Sequence, residues 1–364
     1  MLKETYAIPD LPPKAEFETV AILKALAEAH RHLGELKGRA SAIPNQGILI
    51  DTLSLQEAKA SSEIENIVTT QDELFQADLF PGGSGSPAAK EVALYRDTLR
   101  KGAGALADTG LITNNTIVQM FRMLKRRSDG FRETPGTALK NDSTGALVYV
   151  PPQDGRAIVT HMVALEKFIN EDDAVDIDPL IKMAIIHHQF ESIHPFPDGN
   201  GRIGRIINVL YLTRAGLLDI PILYLSRHIT RNKNEYYRLL QAVRDEGAWE
   251  AWVLYMLQGE AETSKITLTL VEGIRSQMAA TKTRMRATLP KLYSQDLLNN
   301  LYRHPYTRID FVVNDLGVTR QTAAKHLDTL AENGFVTKVQ AGRVNYFINE
   351  ELVALLMQVS EGDG

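Results

Sequence analysis

The sequence contains no cysteine. Disulfide bonds, thiolate metal sites, iron–sulfur clusters and cysteine nucleophiles are therefore excluded together. An excess of positive charge is also missing, because 40 Lys and Arg stand against 45 Asp and Glu among 364 residues, for a formal net charge of −5. This balance gives no support for polyanion binding as the main activity of the whole chain, although it leaves a local basic face open.

Long apolar runs are absent as well. No unbroken apolar stretch reaches the ~18 residues of a membrane span, and the first residues, MLKETYAIPDLPPKAEF, lack the charged start and apolar run of a signal peptide. We therefore expect a cytoplasmic protein with no membrane partner. Its length predicts two or three domains, with ample residues to bury a core.

The dominant pattern in the chain is a helical period. In EFETVAILKALAEAHRHLGEL, steps of three and four predict an amphipathic helix with one face formed by Val20, Leu23, Ala27, His30 and Leu33. Further helices are predicted in TLSLQEAKASSEIENI, VTHMVALEKFIN and DPLIKMAIIHHQFESI, and in a long tract from about Trp249 to Met285. A mainly α protein is expected.

One segment between two helical regions has a different character. In TPGTALKNDSTGALVYVPPQDGRAI, a short β-prone run lies between glycine and proline punctuation and consists of Leu147, Val148, Tyr149 and Val150. This composition predicts a β-hairpin or flap.

The final segment, from near Lys291, is organised differently again. We predict a short helix, a turn at Leu316 and Gly317, a second helix capped by Thr319 and stopped by Gly334, and two β-prone runs about Ala341 and Gly342. This order of elements resembles a winged-helix domain.

In winged-helix folds the second helix can enter a DNA major groove, which would place Arg320, Gln321 and Lys325 near bases or phosphates. Residues 301–349 carry six Lys and Arg against four Asp and Glu. Because a dedicated DNA reader is usually more basic, a protein-contact or structural role is an equal alternative for this domain.

The stretch HPFPDGNGRIGR, from His194 to Arg205, concentrates groups that a core or a solvated helix does not require. Pro195 ends the preceding helix, and Gly199-Asn200-Gly201 permits a tight turn before the next helix. A turn leading into a helix N-terminus forms an anion site.

Charged residues of the stretch extend that anion site. Arg202 and Arg205 are three apart and can share a helix face, which adds two permanent positive charges. Asp198 beside phosphates is best explained as a Mg²⁺ ligand. The residues therefore predict a site for a nucleoside di- or triphosphate with magnesium.

His194, four residues before Asp198, is the candidate general base, because a neutral imidazole accepts a proton near pH 7. A structural role is the better interpretation of His187 and His188. Glu191 and His194 also have the Glu-x-x-His spacing of di-iron bundles, but a second such pair is missing from the sequence and Pro195 disturbs this helix end.

HPFPDGNGRIGR resembles the signature of the Fic family, His-x-Phe-x-Asp/Glu-Gly-Asn-Gly-Arg-x-x-Arg, with every defining position occupied. The similarity extends over nearly the full chain. It implies a mainly α fold with a Fic-type helical core and a β-hairpin flap, followed by a C-terminal winged-helix (α+β) domain. The resulting division is a helical region at 1–110 with an inhibitory helix around 57–67, a core at 111–288 with the flap around 144–156, and the winged-helix-like domain at 289–364.

The resemblance also implies an activity, adenylylation, in which a nucleotidyltransferase moves AMP from ATP to a Tyr, Thr or Ser hydroxyl of a protein, the chain itself included. His194 would deprotonate the hydroxyl and Asp198 would hold Mg²⁺. The phosphates would be bound by Gly199, Asn200, Gly201, Arg202 and Arg205. The flap residues Leu147–Val150 would pair, strand to strand, with the target segment. Some relatives transfer other groups or remove AMP, and the signature does not separate these activities.

A second feature of the family lies upstream, in SSEIENI. Ser61, Glu65 and Asn66 match the inhibitory motif Ser/Thr-x-x-x-Glu-Gly/Asn, which implies that Glu65 competes with ATP for Arg205. A solvated helical glutamate is the alternative. Two classes of function therefore stay open: an autoinhibited adenylyltransferase, and a DNA-binding regulator that uses the core as a nucleotide sensor.

Overall fold

The computed structural model describes residues 6–43, 45–79, 86–140, 145–171, 176–341 and 344–361. No helix in these ranges is both long enough and apolar enough to cross a membrane.

The N-terminal part of the chain is helical. Its helices are α1 (Val20–Ala40), α2 (Gln46–Ile64), α3 (Gln71–Leu79), α4 (Pro87–Thr109) and α5 (Asn114–Lys125). A short antiparallel pair follows, made of β1 (Leu139–Lys140) and β2 (Leu147–Tyr149).

Six further helices complete the middle of the chain: α6 (Gly155–Asn170), α7 (Pro179–Ile193), α8 (Asn200–Arg214), α9 (Ser226–Arg231), α10 (Lys233–Glu246) and α11 (Trp249–Thr288). The proposed domain limits at 110 and 288 fall at the ends of α4 and α11. The C-terminal elements are α12 (Gln295–Arg303), β3 (Tyr306–Thr307), α13 (Ile309–Leu316), α14 (Arg320–Glu332), β4 (Thr337–Ala341), β5 (Val344–Ile348) and α15 (Glu350–Glu361).

The predicted apolar face of α1 is confirmed at Leu33, which is buried, and is wrong at Val20, Leu23 and Ala27. Val20 and Leu23 are exposed and Ala27 also faces solvent, whereas the buried residues are Ile22, Ala29, His32, Leu33, Leu36 and Ala40. These buried positions follow the same helical period in a different phase. The packing of α1 against the long helix α11 decides which of the two apolar stripes is covered.

The signature stretch connects two central helices. Every residue of α7 from Leu180 to Ile193 is buried, because α6, α8 and α11 pack around this helix. Asp178 caps its start by accepting a hydrogen bond from the Leu180 N–H (2.9 Å), and the helix ends before Pro195. Helix α8 begins at Asn200, two residues earlier than predicted.

The β1–β2 pair forms the predicted hairpin, with Leu139 opposite Tyr149 and Lys140 opposite Leu147. Residue 144, the first of the predicted flap, lies outside the described residues. The predicted end at 156 is too late, since Asp154 caps α6 through the Arg156 N–H (3.1 Å) and that helix begins at Gly155.

The C-terminal elements follow the predicted order of helix, turn, helix and hairpin. Gly317 occupies the turn with φ 66°, and Thr319 caps α14. The sheet order is β3-β5-β4, all antiparallel. Gly342, named in the prediction of the two β-prone runs, lies outside the described residues. This domain packs on α2, where Arg303 Nε donates to the half-buried Asp51 carboxylate (2.5 Å).

Candidate active site

His194 follows α7 in a left-handed backbone conformation, with φ 48°. Residues other than glycine are uncommon in this region, and histidine, like asparagine, is among those that adopt it most often. The His194 N–H donates to the Phe190 carbonyl (2.9 Å). Arg132 donates from Nε to the His194 carbonyl and from its backbone N–H to the Pro195 carbonyl, both at 2.8 Å. These bonds fix the backbone of the loop at His194 and Pro195.

The electrostatic surroundings keep the His194 ring neutral. Burial, with the charges of Arg132 and Arg244 adding to it, lowers the pKa of the imidazole to about 4. A neutral ring at pH 7 has a lone pair that can accept a proton. This is the protonation state that the base assignment requires.

The other two histidines of α7 have structural surroundings. A ring nitrogen of His187 bonds the Tyr236 hydroxyl (2.8 Å), and burial lowers the pKa of His187 to about 3. His188 lies against Trp249 with a centroid distance of 4.8 Å. The described residues contain no group of three or more His, Asp or Glu side chains that could hold a metal ion.

Phe196 anchors the loop between α7 and α8 in the core. Its ring is fully buried and stacks on Phe121 with centroids 4.1 Å apart. The Asn200 side chain accepts from the Phe196 N–H (2.9 Å) and donates to the Phe196 carbonyl (2.8 Å). Both ends of the Asn200 amide are thus engaged in bracing the loop, which leaves the backbone N–H of Asn200 as its group at the helix start.

We expect Phe196→Ala to lower the free energy of unfolding by about 3–5 kcal/mol, because it removes a buried aromatic ring and leaves a cavity. Urea denaturation measures this loss. Phe196→Leu, which retains more of the volume, should cost clearly less. Equal stability of wild type and Phe196→Ala would show that the stack on Phe121 does not anchor the loop.

The start of α8 has the backbone features of an anion site. Gly199 adopts φ 78°, and the helix has no side-chain cap. The backbone N–H groups of Asn200, Gly201 and Arg202 belong to the first turn, where intrahelical acceptors are lacking. Together with the helix dipole, these groups favour a bound phosphate.

Arg205 is buried at this helix start and is already occupied. Its Nε donates to Ser61 Oγ and its Nη2 to the Ser61 carbonyl, each at 2.8 Å. Nη2 also donates to Glu65 Oε1 at 2.9 Å. Burial opposes the charge of Arg205, but the Glu65 carboxylate, together with Tyr236 and Tyr95, raises the pKa of the guanidinium. The structure thus joins Ser61 and Glu65 to Arg205 across 140 residues of sequence.

The end of α2 explains the spacing of SSEIENI. The predicted inhibitory helix around 57–67 extends too far, since α2 ends at Ile64 and Glu65 is its C-cap. Asn66 ends the helix because its backbone is left-handed, with φ 60°. A Cβ built on Gly201 would lie 2.3 Å from Glu65 Oε1, so the carboxylate lies directly against the α8 turn.

Helix α2 is also fixed by a second acid, Glu57, which the sequence analysis did not identify. Glu57 accepts hydrogen bonds from the Ser226 N–H (3.0 Å) and the Tyr95 hydroxyl (3.1 Å), and also from Ser226 Oγ. Burial raises the pKa of Glu57 to about 7. These contacts fix the position of α2 two turns before Glu65.

Arg202 and Asp198 belong to an ion cluster that sequence reasoning also missed. Arg202 is buried and pairs with Glu91. Lys125 Nζ lies 3.1 Å from Glu91 Oε1 and 2.6 Å from Asp198 Oδ2. Burial opposes ionisation of both acids, but the hydrogen bonds from Arg202 and Lys125 lower the pKa of Glu91, and that from Lys125 lowers the pKa of Asp198.

The flap residues divide between solvent and core. Leu147 and Val148 are exposed, whereas Tyr149 and Val150 are buried. The Tyr149 hydroxyl donates to the Ser192 carbonyl (2.7 Å), two residues before His194, and Arg244 lies 3.9 Å above the Tyr149 ring. Tyr149 therefore attaches the hairpin to the end of α7, whereas Leu147 and Val148 face solvent.

The residues proposed for DNA contact lie on a separate surface. Arg320, Gln321 and Lys325 are exposed on α14. Arg320 pairs with Asp310 on α13, which offsets one of the positive charges.

Comparison with known proteins finds similarity along much of the chain. Three family models match the chain: "Fic/DOC family N-terminal" over residues 23–104, "Fic/DOC family" over 111–212, and "Protein adenylyltransferase SoFic-like, C-terminal domain" over 277–352. Among curated proteins, the chain is 43% identical over 72 residues to a probable protein adenylyltransferase of Aquifex aeolicus (strain VF5), covering 20% of each chain. It is 31% identical over 131 residues to "Protein adenylyltransferase Fic" of Aedes aegypti, covering 36% of this chain and 24% of that protein.

The matched regions thus span a fifth to a quarter of these curated relatives. Solved structures show a similar fold over more of the chain. A Fic family protein from Desulfovibrio desulfuricans G20 has a TM-score of 0.54 at 21% identity, covering 93% of this chain and 98% of that chain. Fic-1 from C. elegans has a TM-score of 0.53 at 20% identity, covering 69% of this chain and 73% of that chain.

Proposed function

We propose, from the premise that the chain belongs to the Fic/DOC family, that it is a protein adenylyltransferase that transfers AMP from ATP to a Tyr, Thr or Ser hydroxyl of a protein. One observation carries the proposal. A neutral His194 lies on a braced loop that leads directly into an uncapped helix start bearing Arg202 and Arg205. The names of the matched relatives agree with this activity.

The reaction follows from these groups. His194 accepts the proton of the target hydroxyl, and the resulting oxygen attacks the α-phosphorus of ATP. The bond from the α-phosphorus to the bridging oxygen breaks, and pyrophosphate leaves with its electron pair. The backbone N–H groups at the start of α8 and the two arginines hold the phosphate oxygens. Positioning and charge stabilisation supply most of the rate enhancement in such transfers.

Asp198 is suited to hold Mg²⁺. Its side chain is 61% exposed beside the α8 start, and its pKa is lowered, so that it is ionised at pH 7. Mg²⁺ in nucleotide sites commonly has one or two carboxylate ligands and completes its shell with phosphate oxygens and water. The ion would neutralise charge on the phosphates and on the departing pyrophosphate.

Asp198→Asn should therefore raise the Mg²⁺ concentration needed for half-maximal AMP transfer and lower the maximal rate. The amide keeps the size of the side chain but loses the charge that attracts the cation. A Mg²⁺ titration of initial rates, beginning from protein treated with EDTA, measures both quantities. An unchanged titration curve would remove Asp198 from the metal site.

We further propose that the chain is autoinhibited. The Glu65 carboxylate accepts a hydrogen bond from Arg205 Nη2, a donor that the γ-phosphate would otherwise use. ATP can still bind at the α8 turn and Arg202, but with its γ-phosphate displaced, the α-phosphorus no longer presents its in-line face to the hydroxyl.

The C-terminal domain is assigned as a winged-helix module that contacts a protein partner or DNA. The exposed residues of the flap, Leu147 and Val148, are assigned to docking of the target through backbone pairing. We expect the protein to be cytoplasmic.

Incubation of the purified protein with Mg²⁺ and either α-labelled or γ-labelled ATP tests the reaction. Covalent label from the α position alone establishes AMP transfer. Covalent label from the γ position would establish phosphoryl transfer, and label from neither, also in the Glu65→Gly variant, would contradict the proposal.

A further inference from the structure

The acids of the N-terminal helices contact both arginines of the signature. Glu65, at the end of α2, holds Arg205, and Glu91, on α4, holds Arg202. Arg202 is 2% exposed, and its Nε has no hydrogen-bond partner among the described residues. A buried guanidinium with an unused donor is suited to take a further acceptor.

Lys125 connects Glu91 to the rest of the phosphate site. Its ammonium lies between the Asp198 carboxylate, at 2.6 Å, and the Glu91 carboxylate, at 3.1 Å. Its stem crosses the turn, since a Cβ built on Gly199 would lie 3.3 Å from Lys125 Cδ. The ammonium therefore occupies the place beside Asp198 that a cation would take.

We infer that Glu91 and Lys125 are positioning residues for the nucleotide, and that the four charges of Glu91, Lys125, Asp198 and Arg202 exchange partners when a magnesium nucleotide binds. The inference rests on the proposed function. Without nucleotide, Glu91 neutralises Arg202 and Lys125 neutralises Asp198. With nucleotide, Arg202 turns to phosphate oxygens and Asp198 to the cation. Glu91 and Lys125, already in contact, then neutralise each other.

This exchange leaves no charge without a partner in either state. A carboxylate displaced from Arg202 with no cation nearby would face the phosphates and oppose binding. Lys125 can neutralise Glu91, and so prevent this repulsion, only when a cation has taken the place of the Lys125 ammonium at Asp198. The cluster therefore couples the affinity for phosphates to the presence of Mg²⁺.

Calorimetric titration of the whole 364-residue chain with ATP, in EDTA and in Mg²⁺, tests the inference without relying on catalysis. In EDTA, Glu91→Gln should bind ATP about tenfold more tightly than wild type, because a charged competitor for Arg202 is removed. Lys125→Met should bind ATP more weakly in EDTA, because Asp198 then faces the phosphates unneutralised. In Mg²⁺, both differences from wild type should shrink.

Asp97→Asn is the matched control, since Asp97 also lies on α4 and pairs with an arginine, Arg96, away from the signature. It should bind ATP as wild type does. The Glu91→Gln/Lys125→Met double variant should deviate from the sum of the single changes, as expected for side chains in direct contact.

Weaker binding of ATP by Glu91→Gln in EDTA would overturn the exchange and make Glu91 a fixed support of Arg202. Unchanged binding by both variants would reduce the cluster to a structural ion network while leaving the proposed function intact. Absence of ATP binding in wild type and in Glu65→Gly would reject the inference together with the proposed function.

Discussion

Replacing Glu65 with glycine is expected to raise the initial rate of AMP transfer by about a hundredfold, because misplacing reacting atoms by ~1 Å costs about that factor. The Glu65 carboxylate is 2.9 Å from Arg205 Nη2 and lies against the Gly201 backbone, where the γ-phosphate would bind. Its removal lets the triphosphate extend and turns the α-phosphorus toward the hydroxyl. Automodification and target modification, followed with α-labelled ATP, measure the rate.

The strength of the contact supports an effect on rate more than on affinity. A pair of charges at 4 Å has on the order of 4 kcal/mol of raw Coulomb energy at an effective dielectric of 20, before desolvation is subtracted. That is enough to compete with one phosphate contact, but the α8 turn and Arg202 are unaffected. The dissociation constant of ATP should therefore change much less than the rate.

Glu63→Gly is the matched control, since Glu63 is exposed on the same helix and glycine there imposes a comparable backbone cost. It should not activate. Arg205→Ala should be inactive and should not be rescued by Glu65→Gly, because the γ-phosphate then has no guanidinium to engage. Equal rates for wild type and Glu65→Gly on one substrate would leave SSEIENI as an ordinary helix end.

The signature loop could be predicted because its geometry is set by neighbours in sequence. Pro195 ends α7 and Gly199 adopts a left-handed turn before α8, as the residue types suggest. Asn66 is a similar case, since its left-handed backbone ends α2 and leaves Glu65 at the terminus. Such effects act within a few residues and can be read from a single chain.

Packing between distant helices could not be predicted in the same way. Helix α1 carries two apolar stripes, and only its contact with α11 decides that Ile22 is buried while Leu23 is exposed. Arg132 and Lys125 act on the signature from 62 and 73 residues away, and no local pattern distinguishes them from surface cations. Their roles depend on tertiary geometry alone.

Replacing His194 is expected to lower AMP transfer by about 10²–10⁴-fold, the usual contribution of a positioned general base, while ATP binding is retained. The imidazole acts on the target hydroxyl, and the triphosphate is bound by the α8 turn and the arginines. Initial rates together with calorimetric titration of ATP separate these two effects.

The choice of variant matters because His194 has φ 48°. Alanine is disfavoured there, so that His194→Ala would also disturb the loop, whereas asparagine tolerates this conformation and carries no basic nitrogen. His194→Asn should therefore lose transfer without a matching loss of stability. Normal transfer by His194→Asn would contradict the base assignment.

The pH dependence gives an independent check on the same residue. Because burial and the nearby Arg132 and Arg244 lower the pKa of His194 to about 4, the imidazole is already in its base form well below pH 6. The Glu65→Gly variant also loses the Glu65 carboxylate, whose charge raises this pKa, so the pKa of His194 is lower still in that background. There kcat/KM should stay level, as far as His194 determines it, from pH 8 to about 5 and fall only at a pH below about 4. The sign follows from the role, since protonation removes the lone pair that accepts the hydroxyl proton. A loss of activity centred near the ordinary histidine pKa of about 6.5 would show that the active imidazole is solvated rather than buried on the braced loop, or that another group supplies the base.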